Sequence, residues 1–213
     1  MGGASEILRR YGPWGSLRLL RDWCFTRVLG LARGWDLRLV RLPCYLRGAR
    51  GMRIGRRFTS GVGFRADVLP AGEDGDPRAV RLVIGDDVQV NDYVHIAAVH
   101  EVRIGDQVLI ASRVFISDHG HGYYDDEHAA LHEPPSVPPA RRRLSTGRPV
   151  VIEDRVWLGE GVSVLPGAHI GAGAVIGAGS VVAGAIPPEC VAVGVPARVV
   201  KRYDRAAGRW KRA

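Results

Sequence analysis

The chain places a branched aliphatic residue at every sixth position in three separate stretches. The longest stretch covers 152–182, and two shorter ones cover 84–96 and 104–116. A small or β-branched residue follows most of these ladder positions four places later. The ladder consists of Ile84, Val90, Ile96, Ile104, Ile110, Ile116, Ile152, Leu158, Val164, Ile170, Ile176 and Val182.

A period of six matches neither the repeat of an α-helix nor a hairpin sheet with turns every 8–12 residues. It predicts short parallel strands stacked as the coils of a β-helix, in which each coil buries its inward residues against the coils above and below. With three six-residue sides per coil, about five or six coils make a prism roughly 25–30 Å tall. We expect Gly159, Gly171 and Gly177, which directly follow ladder positions, to supply tight corner conformations.

The flanks of the repeat have a different character. Residues 1–45 predict a helical, basic segment, 46–187 the β-helix domain, and 188–213 a basic tail or short helix. Glu73 to Pro77 predict a surface turn, and an aperiodic, proline-containing loop at 119–149 interrupts the β-helix. A loop of this length inside a compact repeat is usually functional.

The N-terminal segment carries an apolar stripe at helical spacing, edged by arginines. One interpretation is a helix that covers the first coil, because the open end of a β-helix is an exposed strand edge. The other is a helix that lies on an anionic membrane surface, with arginine and tryptophan at the interface. One helix can serve both roles. The stripe consists of Leu17, Leu20, Cys24, Val28, Leu31 and Trp35.

The net charge of +8 is concentrated at the ends of the chain. Residues 1–57 carry 13 Arg against 3 acidic residues, and 198–213 carry 7 basic residues against one Asp, whereas 58–197 carry 10 basic and 18 acidic residues. Basic ends around an acidic body argue against a nucleic-acid groove and suit a phosphate-bearing ligand or an anionic membrane surface. Three scattered cysteines, no leader-like N-terminus and no apolar run near 18 residues predict a cytoplasmic protein.

Histidine is the side chain best placed for chemistry. The sequence contains no nucleophile elbow and no P-loop. His119 and His121 directly follow the ladder stretch 104–116, where the regular coil ends. An imidazole there would therefore lie at the start of the long loop. Its ordinary pKa suits proton abstraction near neutral pH.

Three segments together resemble the hexapeptide-repeat acyltransferases, in particular the branch of lipopolysaccharide and capsule O-acetyltransferases, to which galactoside and maltose acetyltransferases are related. They are ISDHGHGY (116–123), PVVIEDRVWLGE (149–160) and VGVPARVVK (193–201). The resemblance covers about residues 40–205. It implies a left-handed β-helix, a homotrimer with active sites between subunits, and acetyl-CoA as the donor.

The resemblance also implies roles for single residues. The offset from the ladder makes His121 the general base, with His119 as the alternative and Asp118 as a group that could orient an imidazole. Asn91 matches a substrate-contacting asparagine, although Gln89 stands where the galactoside enzyme has tyrosine, which puts a galactoside acceptor in doubt. The remaining positions are an outward ligand-contacting Trp157, the small residues Gly159, Gly177 and Ala178 along the pantetheine arm, and Arg198 and Lys201 near the CoA phosphates. No metal is expected.

These expectations describe an acetyl-CoA-dependent O-acetyltransferase acting on a saccharide in bacterial surface-polysaccharide assembly, with direct transfer in a ternary complex. Several alternatives remain open: an acetyltransferase for amino sugars, serine or antibiotics, a non-catalytic scaffold, or a zinc-dependent carbonic-anhydrase-like lyase. The zinc reading needs three protein ligands. Its candidates are His95, His100, His119 and His121.

Overall fold

The computed structural model describes residues 4–70, 76, 79–145 and 148–213. It begins with helix α1 (Ala4–Arg33), which is broken at Gly12, where φ is 65°, directly before Pro13. The turn predicted at 73–77 lies outside the described residues apart from Asp76. Across the described part of the chain, no helix is long and apolar enough to cross a membrane.

Nineteen short strands of the described chain build three parallel sheets, with seven strands in the first sheet and six in each of the other two. The first sheet contains β1 (Leu37–Val40), β4 (Phe58–Ser60), β7 (Gln89–Val90), β10 (Leu109–Ile110), β15 (Trp157–Leu158), β18 (Val175–Ile176) and β21 (Cys190–Gly194). The second contains β2 (Cys44–Arg47), β5 (Phe64–Val68), β8 (His95–Ala98), β11 (Phe115–Ser117), β16 (Ser163–Val164) and β19 (Val181–Val182). The third contains β3 (Met52–Ile54), β6 (Leu82–Ile84), β9 (Val102–Ile104), β14 (Val150–Ile152), β17 (His169–Ile170) and β20 (Ala185–Ile186).

The chain visits the three sheets in rotation, so it winds as a parallel β-helix of six complete coils closed by β21. This agrees with the predicted mainly β fold and coil number. Each ladder residue is at most 2% exposed, and each small or β-branched residue four places later is at most 1% exposed. Full burial of one such side chain contributes about 1.5–3 kcal/mol, so the stacked rungs form the core.

The glycines after ladder positions have a different purpose from the one predicted. Gly159 and Gly177 do not have positive φ, whereas Gly161 and Gly179, two residues further on, do. A Cβ on Gly159 would lie 2.6 Å from the amide nitrogen of Ala178 in the next coil. Glycine is therefore required there because neighbouring coils approach closely, and the left-handed conformation falls two positions later.

Every departure from six-residue spacing lies at one corner of the prism, between the second and third sheets. Ile96 and Ile104 are eight residues apart, and the long loop separates Ile116 from Ile152 at the same corner of the following coil. The loop forms its own antiparallel pair, β12 (Gly120–His121) with β13 (Leu144–Ser145). It also contains two 3₁₀ turns, Asp126–Leu131 and Pro139–Arg141; a third, Ala49–Gly51, lies at this corner of the first coil.

The boundaries at both ends differ from the prediction. The helical segment ends at Arg33, before Gly34 with φ 68°, and the first coil begins at Leu37, not near 46. The predicted C-terminal helix or tail is instead a hairpin of β22 (Ala197–Asp204) and β23 (Arg209–Arg212), antiparallel to each other and to β21. The rings of Tyr203 and Trp210 pack at 5.3 Å across this hairpin, a cross-strand pair that a helix would not form.

Helix α1 covers the first coil, but not with the predicted stripe. Asp22 and Thr26 are buried against the coil, and the Thr26 hydroxyl accepts a hydrogen bond from the Val40 amide at 2.8 Å. Phe25 and Leu29 pack against the core beside them. Of the predicted stripe, only Trp35 packs against the core. The other stripe residues are exposed: Leu17 57%, Leu20 57%, Val28 66% and Leu31 87%, with Cys24 also exposed.

Candidate active site

A buried carboxylate and an imidazole stand where the long loop leaves the coil. Asp118 follows the last residue of β11 and is fully buried, and its Oδ1 lies 2.9 Å from Nδ1 of His119. The His119 side chain is 12% exposed. A histidine held at Nδ1 by a carboxylate has a fixed ring orientation, which leaves Nε2 for a substrate.

Asp118 is itself held by the preceding coil. Its two oxygens accept hydrogen bonds from the backbone amides of Val99, His100 and Glu101 at 2.6–3.2 Å. These three residues belong to the stretch that makes the Ile96–Ile104 spacing irregular. Burial alone would raise the pKa of Asp118, but the hydrogen bonds from His119 and the backbone amides outweigh it and lower the pKa. Asp118 is therefore a carboxylate at neutral pH.

A cleft of about 490 Å³ opens beside this pair. One wall is the loop, with Tyr123, Tyr124 and Arg148, and the other is the prism corner with Leu165 and Pro166. The sequence interpretation missed these lining residues. The adjacent tyrosines directly after the histidines were a readable signal, because aromatic side chains beside a candidate base often line a binding site.

His121 lies on β12 with an exposed side chain and does not line this cleft. Its backbone is fixed, since Gly120 and His121 pair with Ser145 and Leu144 and the Tyr124 hydroxyl donates to the His121 carbonyl oxygen at 2.6 Å. The two loop histidines thus face different surroundings. His119 has a buried carboxylate partner, and His121 faces outward.

The predicted substrate contact Asn91 and the predicted contacts to the pantetheine arm lie at another corner of the prism, between the first and second sheets. The amide of Asn91 donates to Ile110, and that of Gly159 to Ile176, so the two residues belong to one column of stacked corners with Gly177. Asn91 and Ala178 are exposed, and Gly159 is buried. Six residues of the second sheet, about 15–20 Å, separate this column from the corner of His119. One protomer does not bring the two groups together.

The other predicted contacts are exposed. Trp157 is 49% exposed on the first sheet, between Leu109 and Val175 of the neighbouring strands. Arg198 and Lys201 lie on β22 with exposed side chains, at the C-terminal end of the prism. Their ligand roles stay predictions.

Within one protomer, the described histidines considered for zinc do not come together. Among the described residues, the one group of three side chains close enough to share an ion is Asp125, Glu127 and His128. Asp125 there is already paired with His128 and Arg148, each at 2.6 Å. In the same described part, no three of the proposed histidine ligands form such a group: His95, His100, His119 and His121.

The structure is a coiled β-prism with a histidine–aspartate pair at a loop corner, and comparison with known proteins identifies its class. Residues 149–184 match the family described as bacterial transferase hexapeptide (six repeats). The chain is 45% identical over 208 residues to the "Putative lipopolysaccharide biosynthesis O-acetyl transferase WbbJ" of Escherichia coli K12, covering 98% of each chain. The chain belongs to the hexapeptide-repeat acetyltransferases, and the predicted resemblance and the enzyme class are confirmed.

Two solved structures share the fold. The N-acyltransferase AntD from Bacillus cereus, in complex with dTDP and 3-hydroxybutyryl-CoA, has a TM-score of 0.62 at 19% identity, covering 85% of this chain and 90% of AntD. The hexapeptide-repeat acetyltransferase VCA0836 from Vibrio cholerae has a TM-score of 0.52 at 23% identity, covering 95% of each chain. At these identities the likeness concerns the fold.

Proposed function

We propose that this protein transfers an acetyl group from acetyl-CoA to a saccharide hydroxyl during assembly of a bacterial surface polysaccharide. The observation that carries the proposal is the Asp118–His119 pair at the mouth of a cleft, two residues from a second imidazole, His121. The name of the 45% identical relative supports a lipopolysaccharide or related glycan as the product. We therefore propose a cytoplasmic location for the protein.

The proposed reaction is a direct transfer in a ternary complex. The imidazole removes the hydroxyl proton while the sugar oxygen attacks the thioester carbonyl carbon. An ester bond forms, the carbon–sulfur bond breaks, and CoA leaves as a thiolate that takes the proton from the imidazolium. The protein holds both substrates in one site, which lowers the barrier by several kcal/mol through proximity.

We propose a left-handed coil and a homotrimer with shared sites. The hexapeptide family supports the handedness. The geometry supports the sharing, because the loop histidines and the column of Asn91, Gly159 and Gly177 occupy different corners of one protomer. A neighbouring copy can place its column against the histidine corner, so that the thioester lies between two subunits.

For the base we propose His121, from its offset along the ladder, and we treat His119 as the competing candidate. The outward position of His121 suits a substrate held by a neighbouring subunit. The contact with Asp118 favours His119, because a carboxylate that orients an imidazole is a common feature of catalytic bases.

Substitution of each histidine by alanine assigns the base. We expect His121→Ala to reduce acetyl transfer by about 10²–10⁴-fold, the usual contribution of a general base, while CoA binding persists. His169→Ala is the matched control, because this exposed histidine pairs with Glu153 on the third sheet and does not line the cleft. Release of CoA thiol with a panel of free and nucleotide-linked sugars is the measurement. Loss of turnover in His119→Ala with normal turnover in His121→Ala would move the role to His119.

We also propose that α1 holds the enzyme at an anionic membrane surface. The exposed face of Leu17, Leu20, Cys24, Val28 and Leu31 points away from the coil that α1 covers. Arg18, Arg21 and Arg27 are exposed along the same helix, and Asp22, the acidic residue within this stretch, is buried against the coil. An apolar face edged by arginines matches the apolar interior and anionic headgroups of a lipid interface.

A further inference from the structure

A second charged cluster lies on the outer face of the second sheet, at the N-terminal end of the prism, and the proposed chemistry does not use it. Arg47 and Arg65 reach Asp67 through their Nε atoms, at 3.0 and 2.6 Å. His95 joins the same carboxylate, with Nε2 3.0 Å from Oδ2. Asp67 is 5% exposed, so one nearly buried carboxylate organises three basic side chains.

The cluster carries excess positive charge. Burial opposes ionisation of Asp67, but the hydrogen bonds from His95 and Arg65 and the charge of Arg47 lower its pKa, so it is a carboxylate at neutral pH. Two guanidinium groups face this single negative charge. The Arg47 and Arg65 side chains are 61% and 49% exposed. The cluster therefore presents a net positive surface on a body that is otherwise acidic.

The way in which these arginines bind Asp67 leaves donors free. Elsewhere on the prism, Arg56 places both Nε and Nη2 on the Asp86 carboxylate. Arg47 and Arg65 use Nε alone, and their Nη groups have no protein acceptor within the described part of the chain. Two fixed guanidinium groups with free Nη atoms are suited to bind the oxygens of a phosphate.

The strand register connects this cluster to the reaction centre. Arg47 pairs with Asp67, Asp67 with Ala97, and Ala97 with Ser117, which directly precedes Asp118. Three coil spacings, about 14 Å, separate Arg47 from Ser117 along this row. Ala97, which lies between the two ends of the row, is small and 7% exposed.

We propose that Arg47 and Arg65 bind the diphosphate through which the acceptor sugar is linked to its carrier. This inference rests on the proposed acetyl transfer to a saccharide. The phosphates of the donor are expected near Arg198 and Lys201, at the opposite end of the prism, about three coils beyond the histidines. Donor and acceptor then enter from opposite ends, and the two reacting groups meet at the fourth coil. A nucleotide and a polyprenyl carrier share this diphosphate chemistry.

Calorimetric titration of the full-length protein tests the site without turnover. The probes are inorganic pyrophosphate, dTDP and farnesyl diphosphate. We expect Arg47→Gln and Arg65→Gln each to weaken binding of these probes about tenfold, the usual loss for one charge-assisted hydrogen bond. Arg103→Gln is the matched control, because this exposed arginine pairs with Glu101 on the third sheet. Tighter binding of dTDP than of pyrophosphate indicates a nucleotide carrier, and tighter binding of farnesyl diphosphate indicates a lipid carrier.

No binding of any probe, or equal binding by Arg47→Gln, Arg65→Gln and wild type, overturns the inference. The cluster could instead bind the phosphates of the donor. In that case Arg47→Gln and Arg65→Gln would weaken acetyl-CoA binding, so the affinity for acetyl-CoA distinguishes the two sites. The proposed function is tested separately by His121→Ala and His119→Ala, both of which retain diphosphate binding if the cluster acts as proposed. A wrong assignment of the base can therefore be distinguished from a wrong assignment of the diphosphate site.

Discussion

At the scale of single residues, contact between backbones of adjacent coils explains why glycine recurs after the ladder. Gly159→Ala would place a Cβ 2.6 Å from the Ala178 nitrogen and 2.8 Å from the Ile176 oxygen. We expect a loss of about 1–3 kcal/mol, as for overpacking elsewhere, because the clash is with backbone. Gly184→Ala is the control, since its Cβ would meet nothing within 4 Å, and it should be nearly neutral. Denaturant unfolding compares them, and equal midpoints would contradict the explanation.

Asp118 gives a pH-dependent prediction. Its pKa is lowered in the folded protein, so it contributes stability above its ordinary pKa of 3.8, and this contribution is lost as the pH falls through the lowered value. Asp118→Asn should be less stable than wild type by about 1–3 kcal/mol at pH 7, and the difference should shrink in acid. Asp126→Asn, an exposed site, is the control. Unfolding measured from pH 7 down to acid tests this, and a constant difference would disprove it.

Single-residue roles were less predictable than the ladder. The buried rungs follow from spacing alone, because inward positions repeat every six residues. The hydrogen bonds between Asp118 and the amides of residues 99–101 join two coils. No local sequence pattern indicates which carboxylate accepts a hydrogen bond from which amide. The irregular step from Ile96 to Ile104 was nevertheless a signal, since it marks the extra residues whose amides hold Asp118.

At the scale of elements, α1 shows where helical periodicity is informative and where it fails. The apolar stripe was visible in the sequence, but a helix with apolar residues around most of its circumference offers two faces. Packing against the first coil selected the face with the buried polar groups Asp22 and Thr26. Their hydrogen bonds depend on the strand that follows, which helical spacing cannot reveal. The C-terminal hairpin was missed for a similar reason, because β21 supplies an edge to which β22 adds.

The exposed face of α1 leads to a binding prediction. Leu20→Ser combined with Leu31→Ser should reduce binding to vesicles of phosphatidylcholine with about 30% phosphatidylglycerol by at least tenfold, since each leucine contributes about 1.5–3 kcal/mol when buried. Leu109→Ser, an exposed leucine on the first sheet, is the control. Cosedimentation is the measurement. Unchanged binding would refute the membrane role, and a change in oligomer size instead would assign the face to a second copy.

At the scale of the whole molecule, the separation of the two corners underlies the proposal that the active site is shared between subunits. Ala178→Trp should block binding of the pantetheine arm but keep the base. The histidine variant that loses turnover should lack the base but still bind the pantetheine arm. Coexpression of the two should restore about a quarter of the sites, because each site takes one part from each of two neighbours. Coexpressed and separately purified proteins are compared by CoA release. No recovery in mixed trimers would place the whole site in one subunit.

The single irregular corner has a consequence for how such an enzyme diversifies. Two edges of the prism keep strict six-residue spacing through all coils, whereas the third admits the extra residues at 99–101 and the whole loop at 119–149. Insertions at that edge do not change which residues of the following strands point into the core. New recognition surfaces can therefore be acquired there by changes in segment length, while the rest of the chain remains under the constraint of its repeat.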